Sequence, residues 1–395
     1  MRVVIAAAAA SSGMSGIQRH AFNLVRCLLQ QSAVSAVHLV IAPWQRRLVQ
    51  SQSLYTDPRF TMQVAEMGRG SVGRNTWYYS RLPRLAGSLE ADIVHFSYPV
   101  PINKGAYACP TVVTLHDLYP YEIPLNFGFP KFIFNRFVLQ QCLRSIDAIA
   151  CVSDATNMRL RQYAPPATWG KSLRIYNCVE PARPAGGDDA APVGRGDPFL
   201  LCVAQHRRNK NIPLLIRLFD HLVRNEKLPR KMNLFIVGMR GPETPRIRKL
   251  IAELRLSHRV LLLEGLSEAQ LHWCYAHCAA LIAPSSTEGF GLPVAEGLLV
   301  GCRVVCSDIQ AFREIGNGHC RFASLRGESE RGLADAIVTA LALPVPPPVS
   351  LPHLSASVLA EQYLALYRRL LAPATFSQGA AVSGQLHATP ERQAP

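Results

Sequence analysis

Short apolar runs alternate with amphipathic helical stretches along nearly the whole chain, in two separate series. That alternation is what parallel sheets require, because each strand must send the chain back through a crossover helix before the next can pair. In the first series the strand candidates are Val3–Ala7, Val37–Ala42, Phe60–Val64, Ile93–Phe96, Thr111–Leu115 and Ala148–Val152. Helical patterns lie near Ile17–Leu29, Trp77–Leu85 and Phe129–Leu143. The second series runs Phe199–Ala204, Asn233–Val237, Val260–Leu263, Ala280–Ala283 and Arg303–Ser307. Its helices are expected at Ile212–Asn225, Pro245–Leu254, Glu268–Ala276, Pro293–Val300 and Leu333–Leu343. Between the series, residues 181–198 are rich in Pro, Gly and Ala without any period, and read as a linker. The expected organisation is an α/β domain over 1–180, the linker 181–198 and a second α/β domain over 199–343. A Pro-rich segment and helix follow over 344–372, then a disordered tail over 373–395. Two doubly wound domains imply a ligand cleft between the carboxyl ends of two facing sheets.

Charge adds a constraint. The chain carries 42 Lys and Arg against 27 Asp and Glu, a net charge of +15. Residues 1–185 hold 19 basic and 9 acidic residues, so the surplus belongs mainly to the first half. Such a surplus suits a nucleic acid, an anionic membrane or a phosphorylated ligand. The 11 cysteines stand singly, without the spacing of a disulfide framework, and suit a reducing cytosol. Cys274 and Cys278, flanked by His272 and His277, fit a helix face, and Cys302 and Cys306 fit one side of a strand; neither pair has structural-zinc spacing. No run reaches the 18 or so apolar residues of a membrane span. The Ala-rich start reads as a first strand and glycine turn rather than as a signal peptide.

Four segments carry chemistry. Pro284-Ser-Ser-Thr-Glu288-Gly-Phe-Gly-Leu-Pro-Val-Ala-Glu296 follows a strand and opens a helix. Its glycines let backbone approach a ligand, helix-start amides attract an anion, and two carboxylates eight residues apart can take separate sugar hydroxyls. Cys202-Val-Ala-Gln-His-Arg-Arg-Asn-Lys-Asn211 sets Arg207, Arg208 and Lys210 at a strand's carboxyl end, where a diphosphate would sit. Gly13-Met-Ser-Gly16 makes a tight turn between the first strand and helix. His116-Asp117 ends another strand, where the imidazole can enter the cleft and the carboxylate can orient it or cap the next turn. Ser153-Asp154-Ala-Thr156 reads as a capped helix start.

The segment EGFGLPVAE resembles the signature of retaining glycosyltransferase family 4, nucleotide-sugar enzymes of the GT-B fold. The resemblance extends from Met1 to about Leu371, through the basic turn, the glycine turn, the His-Asp segment and a VSxxS-like stretch at Ser153. It implies two Rossmann-like domains facing across a central cleft. It also implies that Glu296 binds the nucleotide ribose, that Glu288 lies beside the donor sugar, and that Gly289, Phe290, Gly291 and Leu292 line sugar and phosphate. Lys210 matches the family's diphosphate lysine. Asn209 stands where an arginine is usual, and Arg208 is taken ahead of Arg207 for the second charge. Gly16 is the residue of the glycine turn expected near the donor phosphate, and His116 the one placed against the donor sugar.

The implied reaction is hexose transfer from a GDP-mannose or UDP-sugar type of donor to a glycan or polyprenol-linked acceptor, with retention, in cell-surface polysaccharide or glycolipid synthesis. The expected catalytic groups are His116, Glu288 and Lys210. No Asp-x-Asp motif stands where a metal site would need it, so no metal and no other cofactor are expected. No nucleic-acid module accompanies the basic charge, and nucleic acid is not expected as a partner. Alternatives of other classes are a sugar-nucleotide epimerase of similar architecture and a non-catalytic basic binder. The expected location is cytoplasmic, with peripheral contact to an anionic membrane. The apolar and basic segment Phe129–Arg144 suits either that surface or a buried crossover helix.

Overall fold

The computed structural model describes residues 1–11, 13–50, 56–180, 191–192, 196–325 and 329–372. Most of the segment read as a linker (181–190 and 193–195) and the tail read as disordered (373–395) lie outside the described residues. Seven parallel strands form the first sheet: β1 (Arg2–Ala6), β2 (Ala36–Ile41), β3 (Phe60–Val64), β4 (Ile93–Phe96), β5 (Thr111–Leu115), β6 (Ala148–Cys151) and β7 (Ser172–Arg174). Their order is β3-β2-β1-β4-β5-β6-β7. The second sheet holds β8 (Phe199–Val203), β9 (Asn233–Val237), β10 (Val260–Leu263), β11 (Ala280–Ala283), β12 (Val304–Ser307) and β13 (Cys320–Ala323). Its order is β10-β9-β8-β11-β12-β13, again with every pair parallel.

Each order reverses once, between β1 and β4 and between β8 and β11. Loops leaving the strand ends diverge there and open a crevice. The apolar runs are strands because helices cover both faces of each sheet, so no polar alternation is needed. All five residues of β5 and all four of β4, β6 and β12 are buried. The expected helix over Trp77–Leu85 is two helices, Ser71–Ser80 and Leu82–Ser88. Pro83, without an N–H, suits the first turn of the second one.

Strands β7 and β13 escaped the sequence reading: β7 has three residues and none is buried, and β13, as long as β4, buries only Ala323. The greater difference concerns the C-terminal helix Ala356–Leu371, which packs on helix Gly16–Leu29 of the first sheet. It buries Leu359, Ala360, Tyr363, Leu364, Leu366 and Tyr367 there. Tyr367 reaches the β4 residue His95, with OH and Nδ1 2.6 Å apart. Full burial of such side chains stabilises by about 1.5–3 kcal/mol each, enough to hold the helix on a sheet that is distant in sequence. One apolar cluster thus runs from Val3, Ile5 and Leu39 through Tyr363 and Tyr367 to Leu201, Leu281 and Val304.

The basic apolar segment forms helix Lys131–Ser145, which buries only Leu139, Cys142 and Leu143. Phe129 is 80% exposed, Leu125 67%, Phe137 68% and Ile133 51%. Its first two turns are a surface feature. The crossover function falls to the last two.

Candidate active site

A cavity of about 330 Å³ lies between the two sheets' carboxyl ends. That is within the usual size of a small-molecule site. It is lined by the turn after β1, the ends of β5 and β8, the β9 loop at Gly238 and Met239, and the segment from Glu288 to Glu296. Gly291 has φ +113°, and it starts helix Leu292–Val300. A side chain at Gly291 would be strained by that φ and would press on Phe312 at 2.8 Å. The first amides of this helix lack intrahelical partners by geometry, which makes its start an anion-attracting wall of the cavity.

Glu288 is only 8% exposed, and its charge is matched by several donors. Lys210 Nζ forms an ion pair with Oε1, and Ser285 Oγ donates to the same oxygen at 2.6 Å. The Tyr119 hydroxyl donates to Oε2 at 3.3 Å. Burying a carboxylate and an ammonium costs several kcal/mol per ion, so this pair persists because the remaining lone pairs are also bonded. Asn209 Nδ2 donates to the Tyr119 hydroxyl at 3.1 Å and to the Thr287 carbonyl at 3.2 Å. Asn211, in a left-handed conformation at φ +49°, donates to the Pro284 carbonyl at 2.8 Å. Asparagine tolerates that conformation better than most residues. Asn-Lys-Asn therefore clamps the β8 loop to the β11 loop.

Glu296 accepts from the Tyr275 hydroxyl at 2.7 Å on Oε2, and Arg19 pairs with Oε1 from across the cleft. Glu296, ahead of every other influence, raises the Arg19 pKa, and burial with Glu296 beside it pushes the Tyr275 phenol well up.

His116 Nε2 donates to the Ser97 carbonyl at 2.9 Å, which fixes that nitrogen as the protonated one. Burial pushes its pKa down to about 4, so the ring is neutral at neutral pH. His20 meets it edge to face, with ring centroids 4.9 Å apart. Burial also raises the Asp117 carboxyl to about 6, and Asp117 Oδ1 accepts from the Tyr119 amide at 3.1 Å. Of the two uses expected for Asp117, the turn cap is the one found.

The two domains touch at Gly289. A Cβ there would overlap the His116 carbonyl oxygen and lie 2.8 Å from its carbon. Ser153 Oγ and Thr156 Oγ1 both donate to the Gly289 carbonyl, the latter at 3.0 Å. Arg159 donates to the Glu288 carbonyl at 2.7 Å and pairs with Glu122 at 2.8 Å. Ser153 also accepts from the Thr156 amide at 2.9 Å, as a helix cap should.

His116, Lys210, Glu288, Glu296, Gly16 and Gly289 through Leu292 all line the one cavity. Arg208 does not. It is exposed and its backbone amide bonds Asn126, whereas Arg207, the residue set second to it, lines the cleft. Neighbouring residues of a turn point apart, and strand-end spacing alone could not say which one faced inward. Arg19, Tyr119, Ser285, Tyr275 and Arg159 were missed. Arg19 had a signal, being a first-turn cation beside the glycine turn. Tyr119 and Tyr275 had none, since each looks like an ordinary core aromatic. Among the described residues, no group of three or more His, Cys, Asp or Glu is arranged to hold a metal ion.

A family model described as glycosyl transferases group 1 matches residues 189–346, and one described as glycosyltransferase family 4 matches residues 14–183. The O-antigen chain mannosyltransferase RfbU of Salmonella typhimurium is 26% identical over 204 residues, 51% of this chain and 53% of that protein. A serotype-specific mannosyltransferase, WbdA, of Escherichia coli is 36% identical over 261 residues, 60% of this chain and 30% of that protein. The chain thus spans about half or less of the length of these relatives. Among solved structures, a sucrose-phosphate synthase of Thermosynechococcus elongatus superposes with a TM-score of 0.67 at 16% identity, covering 94% of this chain and 95% of that one. WaaG, a glycosyltransferase involved in lipopolysaccharide biosynthesis, gives 0.66 at 15% identity, over 93% and 97%.

Proposed function

The chain belongs to the family 4 glycosyltransferases of the GT-B fold, and from that membership we propose that it moves a hexose from a nucleotide-sugar donor to a glycan or lipid-linked acceptor with retention of configuration. One observation carries this reading. Lys210, Glu288, Glu296 and a glycine-opened helix start converge on one cavity at the switch points of both sheets. Mannose is the favoured sugar, since the relatives above are named mannosyltransferases, and cell-surface polysaccharide the favoured product class.

Departure of a nucleoside diphosphate builds negative charge on phosphate oxygens while the sugar carbon gains oxocarbenium character. Lys210, Arg207 and the amides at Gly291 and Leu292 would stabilise the first without a metal. Neutral His116 would sit against the sugar, contributing hydrogen bonding without repelling the developing cation. Glu288, pinned by Lys210, Ser285 and Tyr119, acts as a fixed acceptor for sugar hydroxyls rather than as a mobile nucleophile. The acceptor hydroxyl would then attack on the leaving-group face, and the departing phosphate would take its proton.

The pure protein, incubated with a panel of UDP-, GDP- and dTDP-sugars, is expected to hydrolyse one donor slowly and to release free nucleoside diphosphate faster with acceptor. An α-linked product from an α-linked donor supports retention. Failure to bind or turn over any nucleotide sugar would reject the reading.

Peripheral placement on an anionic membrane belongs to the same proposal. Leu125, Phe129, Ile133, Phe134 and Phe137 are exposed, with Ile133 and Phe137 one turn apart on helix Lys131–Ser145 and Leu125 and Phe129 just ahead of it. Residues 123–145 contain Lys131, Arg136 and Arg144 and no carboxylate. Apolar area plus cations on one helix is the pattern of an interfacial anchor. Among the described residues no helix is long and apolar enough to cross a membrane. The protein is expected to float with anionic but not zwitterionic vesicles, and F129S/I133S/F137S to lose at least tenfold in partition while keeping donor hydrolysis. Equal flotation of the variant would reject the anchor.

A further inference from the structure

Arg19 stands where a cation should not be for the sake of the helix. It lies in the first turn of helix Gly16–Leu29, against the positive end of the helix dipole. Its compensation comes from the other domain, through the ion pair with Glu296, and both side chains are largely withdrawn from water. Glu296 is thereby fully engaged, with Arg19 on one oxygen and the Tyr275 hydroxyl on the other. The cleft's other cations are Lys210 and Arg207, and the first is already committed. Asn209 occupies the place of an arginine and spends its amide on Tyr119 and Thr287, while Lys210 is paired with Glu288.

We propose that Arg19 is a donor-diphosphate ligand that trades Glu296 for phosphate as the nucleotide ribose takes over the carboxylate. The inference rests on the donor reading above. Ribose hydroxyls can replace the guanidinium on Glu296, but only the phosphates can then give Arg19 a new anion. A nucleoside alone would leave a half-buried guanidinium without a partner, which is costly. Arginine suits the exchange, because its planar fork pairs as well with phosphate as with carboxylate. Selectivity for diphosphate over bare nucleoside follows from the swap, as does coupling between the first domain and the nucleotide.

Calorimetry with UDP, GDP, uridine and guanosine tests it. R19M is expected to weaken the preferred nucleoside diphosphate at least tenfold and to tighten the matching nucleoside about threefold, by freeing Glu296. R19K, which keeps the charge, is expected to retain most of the diphosphate affinity. A merely structural Arg19 would shift both ligands in the same direction, and that result overturns the proposal. So does R19K binding diphosphate as weakly as R19M. Wild-type protein that binds neither UDP nor GDP overturns the donor reading and this inference with it.

Discussion

Replacement of Lys210 by methionine is expected to lower donor turnover about 10²–10³-fold, the range seen when one preorganised stabiliser of a leaving anion is removed. The same change strands the buried Glu288 carboxylate with only Ser285 and Tyr119 as donors. Breaking a buried pair by removing one partner costs about 3–5 kcal/mol, so the melting temperature should fall too. Two roles are therefore entangled in one side chain, and the double variant K210M/E288Q separates them. A neutral amide no longer needs an ammonium, so the double variant should recover much of the melting temperature. Turnover should stay low, because the charge facing the diphosphate is still missing and the acceptor for the sugar hydroxyls is weakened as well. Donor hydrolysis and thermal melting on wild type, single and double variants decide it. A K210M enzyme within tenfold of wild type would mean that Lys210 serves Glu288 and not the donor.

Much of the site was legible because its residues sit where a parallel sheet makes position readable from sequence. A strand end, a glycine and a helix start fix where Gly16, His116, Lys210 and Glu288 must lie, and all four reach the cavity. What lay beyond reach was everything decided by the meeting of two domains. Glu296 was expected to face a ligand, yet its partner Arg19 lies 277 residues away on the other sheet's first helix. The choice between Arg207 and Arg208 turned on the direction of one turn, whose neighbour Asn209 is held by Tyr119 from the first domain. The fold followed the same rule. Strands buried on both faces announced themselves as apolar runs, while β7 and β13 are too exposed to read that way. The C-terminal helix showed its apolar face in sequence but not its destination, which depends on surface offered by helix Gly16–Leu29.

Gly289→Ala should be as damaging as the loss of Lys210, and for a reason that involves no charge. Real Cβ atoms keep at least 3.0 Å from other heavy atoms, and here the added methyl would overlap the His116 carbonyl oxygen. Both sides of the contact are backbone, so no side chain can turn away. Relief requires the β11 loop and the end of β5 to separate by an ångström or more. That separation also stretches the bonds from Ser153 and Thr156 to the Gly289 carbonyl, and the one from Arg159 to the Glu288 carbonyl. A misplacement of about 1 Å can cost 10²-fold in rate when catalysis depends on orientation, so turnover is expected to fall by at least that factor. Nucleotide affinity should fall no further than in R19M, because Glu296 and Lys210 stay with the second sheet and only Arg19 moves with the first. A steady-state assay beside nucleoside diphosphate titration separates these outcomes. Full activity in the alanine variant would show that the His116–Gly289 contact is not part of the working conformation, and a loss of nucleotide binding well beyond that of R19M would show that the second domain itself had been deformed.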